Sequence, residues 1–303
     1  MLNVLVSLIT DDNDYQLEQA ASAQAAALNL GAKVQIIYSG NDAVQQTQQI
    51  LTFIQDPSKR PDAILAEPVG TGMAQIAKAA VNAGIAWGII NTDVDYIAPL
   101  RQHALVPVFA VLSDHEAIGR IQGQQIAAFL GETGCVLYLE GPLRDVAKFR
   151  SKGMLATKPP AVTVKTLRGD WTQQSGYHAM KSWLALSTSR QLQVGMIACQ
   201  NDDMAIGARR AFEELADIQE RAQWLRLPFT GCDGVPKSGQ EWVRQGKLSA
   251  TVISPPIVGD ALQLLSSAIN AGSQPPERTL IAPSSFPALK ELQKVRAQAA
   301  QPR

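Results

Sequence analysis

Ala198-Cys199-Gln200-Asn201-Asp202-Asp203-Met204-Ala205-Ile206-Gly207-Ala208 is the stretch on which the fold turns. An apolar run stops, polar side chains crowd its end, and a helical pattern begins at once. In an open α/β sheet such a junction is the carboxyl end of a strand, where ligands bind. One reading makes Asp202 a helix cap and nothing more. The favoured reading keeps Asp202 as the cap and adds Asn201 to a ligand site.

The same grammar runs outward in both directions. Short apolar runs at 2–8, 34–38, 63–66, 86–90 and 106–112 read as strands. So do those at 135–139, 162–167, 194–199, 229–231, 250–254 and 279–282. Several are apolar on both faces, as expected where helices cover both sides of a parallel sheet. Between them lie helical patterns. Leu17, Ala21, Ala25 and Leu28 share one helical face, as do Val44, Thr47, Leu51 and Ile54. Met73, Ile76, Ala77 and Ala80 form a third such face. Asp114, Thr172 and Asp202 stand where N-caps belong, and Gly31 and Gly84 where helices end. Repeated β–α–β units imply doubly wound parallel sheets. This many strands is divided between two domains rather than forced into one sheet. Gln274-Pro275-Pro276-Glu277 reads as a surface loop, and the tail from Gln298 as frayed.

Composition narrows the function. The 303 residues hold 46% apolar and 18% charged side chains with a formal net charge of +0. No basic excess is available for nucleic-acid phosphates, and no nucleic-acid partner is expected. Cys135, Cys199 and Cys232 each lie in or beside an apolar run and read as small buried hydrophobes. With three histidines and no ligand spacing, no metal and no cofactor are expected. Asp11, Asp12, Asp14 and Glu18 resemble part of a Ca²⁺ loop but lack its turn glycine. They read as a polar loop with first-turn acids. The N-terminus, Met-Leu-Asn-Val-Leu-Val, reads as a first strand rather than a signal segment.

Two further strand ends carry chemistry. Phe229-Thr230-Gly231-Cys232-Asp233-Gly234 presents a carboxylate between glycines, suited to accepting hydrogen bonds from vicinal hydroxyls, or else an Asx turn. Gly169-Asp170-Trp171 places a flat ring after a strand, either as core or as a stacking face for a sugar. Enzymatic motifs are weak. Gly70-Thr71-Gly72 lacks a third glycine at Gln75, and no Gly-x-Ser-x-Gly elbow occurs. The adjacent Asp202 and Asp203 diverge and make a poor acid–base pair.

QNDDMAIGARRAF, GCDGVPKSGQEWVRQGKLSATV and AEPVGTGMAQIAKAAVNAGI, in their places along nearly the whole chain, resemble the ribose/galactose-type periplasmic sugar-binding proteins. That fold, periplasmic binding protein type I, is shared with LacI-type repressor effector domains. The resemblance implies two α/β parallel-sheet domains joined by a three-segment hinge, with a ligand cleft between them. The lobes would be 1–110 with 255–282, and 111–254 with 283–303. Hinge crossings are expected at 109–112, 254–256 and 281–283. Matching the family's ligand positions selects Asn13, Tyr15 and Gln16 after the first strand, and Asn91 and Thr92 where ribose-type members place an Asp-Arg pair. It further selects Lys148 in place of an arginine, Trp171, Asn201, Asp233, and Ser254 in place of a hinge glutamine. The departures point away from ribose toward another sugar, a sugar derivative or a polyol.

The resemblance implies a monomeric, non-enzymatic solute receptor that closes over its ligand. Its partner would be an ABC permease or a membrane sensor. Its location would be periplasmic if an export signal has been removed, and cytoplasmic as the chain is written. The alternative is the ligand-sensing domain of a LacI-type regulator without its DNA-binding segment.

Overall fold

The computed structural model describes residues 1–293, so the expected fraying from Gln298 lies outside the described residues. The chain divides into two compact units. The first comprises Met1–Ser113 and Pro256–Ile281, and the second Asp114–Pro255 and the residues from Ala282 on. Three chain passages therefore link them.

The first unit contains β1 (Asn3–Leu8), α1 (Asp14–Leu30), β2 (Lys33–Tyr38), α2 (Ala43–Gln55), β3 (Ala63–Ala66) and α3 (Ala74–Asn82). It continues with β4 (Ala86–Asn91), α4 (Ile97–Arg101) and β5 (Val108–Ser113). The second contains α5 (His115–Leu130), β6 (Gly134–Glu140), α6 (Asp145–Thr157), β7 (Val162–Arg168) and α7 (Gln173–Leu184). There follow β8 (Met196–Cys199), α8 (Asp202–Glu213), α9 (Ile218–Leu225), β9 (Phe229–Asp233), α10 (Gly239–Arg244) and β10 (Ala250–Ile253). The chain returns to the first unit for α11 (Val258–Ala271) and β11 (Arg278–Ile281), then adds β12 (Ser284–Phe286) to the second.

One sheet runs β11-β5-β4-β3-β1-β2, parallel throughout, and the other runs β12-β10-β9-β8-β6-β7. In the second sheet only β12 is antiparallel, paired to β10. The physical class read from the sequence is therefore the observed one, α/β with two doubly wound sheets. Alternation along central strands splits each core in two. Val4, Val6 and Leu8 of β1 face one cluster with Phe109 and Val111, while Leu5 faces the other with Trp87, Ile89 and Val108. In the second unit Leu137, Leu139, Ile197 and Cys199 face one side, and Val136, Tyr138, Met196 and Ala198 the other. Strands apolar on both faces need helices on both faces, and that requirement produced the sequence pattern.

Three local readings need correction. In α1 the face of Leu17, Ala21, Ala25 and Leu28 is the exposed one, with Leu28 at 84%. The buried face is Gln16, Gln19, Ala20, Ala23, Ala26 and Ala27. Small side chains let α1 approach α11 closely. There Gln19 Oε1 accepts from the backbone amides of Ile257 and Val258, at 2.9 and 3.2 Å. Capping a neighbouring helix outweighed burying leucine. In α2, Ile54 is buried and Leu51 partly so, but Val44 is exposed, and Gln46 and Ile50 complete the inner face. Strand β12 escaped notice because Ser284-Ser285-Phe286 has no apolar run; it is held by backbone pairing at a sheet edge.

Candidate functional site

Each sheet reverses its strand order once, between β1 and β3 in the first and between β6 and β8 in the second. Loops diverge at such a point, and in open α/β sheets ligands bind outside the carboxyl ends of the strands there. The structure places the expected residues around these ends.

In the second unit the junction after β8 departs from its sequence reading. Asn201, not Asp202, caps α8: its Oδ1 accepts from the Met204 amide at 3.0 Å. Its Nδ2 donates to the backbone carbonyl of Trp171 at 2.7 Å. Asp202 turns inward instead. It accepts from Thr251 Oγ1 at 2.7 Å and from the Gly234 amide at 2.8 Å. Burial first, and the charge of Asp233 second, push its carboxyl well above the usual range.

Asp233 closes β9 and stands 3.8 Å from the guanidinium of Arg150, which is 5% exposed. Burial raises the Asp233 carboxyl to about 7, against the opposing pull of Arg150. The same guanidinium lies over the Trp171 ring, 5.5 Å from its centroid. Arg150 also donates to the carbonyl of Gln200. Trp171 is seated against Gly141, where any Cβ would fall within 2.1 Å of the ring. Aromatic face, cation, carboxylate and amide are thus joined in one cluster.

Lys148 does not enter this cluster. It is exposed on α6, while Arg150, two residues on, is buried within it. A two-residue step on a helix turns a side chain by about 200°, so only one of the pair can face the strand ends. Ser254 is buried beside Asp233, its amide donating to the Asp233 carbonyl at 3.0 Å.

In the first unit Asn13 caps α1, its Oδ1 accepting from the Gln16 amide at 3.0 Å. The Tyr15 hydroxyl lies 3.4 Å from Ser113 Oγ. Asn91 ends β4, and half-buried Thr92 follows with its amide on the Ile90 carbonyl. Gln16 and Asn91 meet on a residue that the sequence reading passed over, Glu67. Its carboxylate accepts from Gln16 Nε2 at 2.9 Å and from Asn91 Nδ2 at 2.6 Å. Glu67 follows β3 directly, within the AEPVGTG segment. A glutamate next to a four-residue apolar strand was the available signal, because a charge there is either capping something or placed for use.

Backbone strain falls on the same residues. Among the described residues four non-glycine residues have positive φ, and three are Asn91 (68°), Trp171 (77°) and Asp233 (105°). Such conformations cost on the order of 1–3 kcal/mol each and persist only where surroundings over-determine them. Among the described residues, no group of three His, Cys, Asp or Glu side chains could hold a metal ion.

Two parallel-sheet units, each gathering polar and strained residues at its strand carboxyl ends, define a binding protein of the two-unit α/β type. Residues 4–271 match the periplasmic binding protein domain family, and the chain belongs to it. The galactofuranose-binding protein YtfQ of Escherichia coli is 25% identical over 286 residues, covering 92% of this chain and 86% of that one. The ribose import binding protein RbsB of Haemophilus influenzae is 27% identical over 276 residues, covering 84% and 80%. Among solved structures, a periplasmic solute binding protein from Actinobacillus succinogenes with bound D-allose gives a TM-score of 0.81 at 21% identity, covering 97% of this chain and 100% of that one.

Proposed function

We propose that this chain is the sugar- or polyol-binding receptor of an ABC importer, working outside the cytoplasmic membrane without chemical turnover. The observation that carries the reading is the cluster in the second unit. Trp171 supplies a flat ring with Arg150 over one face, and Asp233 stands next to Arg150, the two serving as acceptor and donor for neighbouring hydroxyls. That pairing suits a small ring with one C–H face and polar edges. The relatives' galactofuranose and ribose are such rings, and xylitol is an open-chain polyol with the same run of vicinal hydroxyls.

In this reading Asn201 and Trp171 form the floor of one half-site, with Asp233, Arg150 and Ser254 around them. Asn13, Tyr15, Gln16, Asn91 and Thr92 contribute from the first unit. A calorimetric and thermal-shift screen of pentoses, hexoses, furanosides, polyols and their phosphates tests it. At least one neutral sugar or polyol should bind at micromolar Kd and be recovered unchanged. The Asp233→Ala variant should keep its fold and lose that binding. Absence of binding across the panel, or conversion of the sugar, would sink the reading.

A further inference from the structure

Glu67 is held from every side. Its amide donates to the Ser7 carbonyl at 2.9 Å, and its carbonyl accepts from Gln46 Nε2 at 2.7 Å. Gln46 in turn accepts from the Val69 amide at 3.0 Å. β1, β3 and α2 therefore fix the backbone of Glu67, while α1 and β4 send Gln16 and Asn91 to its carboxylate. The residue is 3% exposed. Among the described residues no ion pair reaches it. The charged groups of the adjoining elements are acids: Asp11, Asp12 and Asp14 before and at the start of α1, Glu18 within it, and Asp93 and Asp95 after β4. Asp93 is engaged by Arg278 of β11 at 3.0 Å. Within its shell the carboxyl meets neutral amides alone, and burial raises its affinity for a proton.

A charged carboxylate only accepts, so both amides must turn their N–H₂ ends toward it. A protonated carboxyl must donate once, so one amide must turn its oxygen inward instead. We propose that Glu67 is a positioning residue for sugar selectivity, fixing through Gln16 and Asn91 which hydrogen-bonding end the strained Asn91 turns toward the ligand. The proposal rests on the reading above that Asn91 belongs to the ligand site. Glu67 itself touches no ligand in this scheme; it acts through an amide at φ 68° that cannot readily reorient its backbone.

Glu67→Gln is the discriminating variant, since glutamine has the shape of the protonated acid and, like it, is uncharged and both donates and accepts. The probe is the tightest binder among D-ribose, D-allose, D-galactose, xylitol and myo-inositol, titrated calorimetrically between pH 5 and 8. At pH 8 the variant should bind about tenfold more weakly or reverse the order of the panel. The wild type should lose affinity as pH falls, and part of that slope should be absent from the variant. Comparing the two removes the contribution of Asp233, which both share. In an Asn91→Ala background Glu67→Gln should change affinity by less than about twofold, because the route through Asn91 is gone.

A merely structural Glu67 would lower Tm and leave the pH slope, the panel order and this coupling unmoved. A folded Glu67→Gln variant with wild-type affinity, order and slope overturns the proposal, provided Asp233→Ala abolishes binding. Binding untouched by Asp233→Ala overturns the site reading and this proposal together.

Discussion

Asn201 donates its side-chain amide to the carbonyl of Trp171 at 2.7 Å while its oxygen caps α8. One short side chain thereby ties the start of a helix to the residue that bears the aromatic ring. It also holds Trp171 at φ 77°, where a bulky residue is rarely found. Asn201 is thus both a cap and a clamp, and the capping that both sequence alternatives gave to Asp202 falls to it instead.

Removing that clamp should be felt twice. Asn201→Ala is expected to cost about 1–2 kcal/mol in urea unfolding, the usual loss for a capping residue. Near-UV circular dichroism should change as well, because the Trp171 ring loses its backbone tether. A stability loss with an unaltered aromatic spectrum would show that the cap alone matters.

Arg150 and Lys148 should part company. Arg150→Gln leaves Asp233 without its cation and Trp171 without its covering guanidinium, so affinity for the bound sugar should fall at least about tenfold. Lys148→Ala, on the exposed side of α6, should stay within about twofold. Equal losses from the two would mean that the helix face has been misassigned.

The buried acids set an unusual pH dependence. The Asp233 carboxyl is raised from 3.8 to about 7 in the folded protein. Between those values the folded state holds a proton that the unfolded chain releases. The stability it contributes is therefore full below about pH 4 and declines as pH rises toward about 7. Asp202, also raised, works in the same direction. Asp233→Asn should flatten the fall in unfolding free energy over that range, as measured by urea titrations at successive pH values. A steeper fall in the variant would reverse the sign assigned to this group.

Legibility of the candidate site followed chain locality. Trp171, Asn201 and Asp233 were readable because each closes or follows a strand just before a helix or turn, a position the local pattern marks. The resemblance pointed to Lys148, whereas the cation that faces the strand ends is Arg150. Which of two cations on one helix faces a strand end depends on how that helix is rotated against its sheet. Glu67 was missed because its partners, Gln16 and Asn91, lie 51 and 24 residues away.

The order of strands and helices, the parallel sheets and the burial of strands on both faces were determined by the sequence alone. They follow from hydrophobic periodicity, which a chain carries residue by residue. The inward face of α1, the capping of α8 by Asn201, the addition of β12 and the seating of Glu67 among amides were decided by tertiary structure. Each depends on a backbone group or side chain from a distant segment that needs a hydrogen-bond partner once water is excluded, and no local pattern records that need.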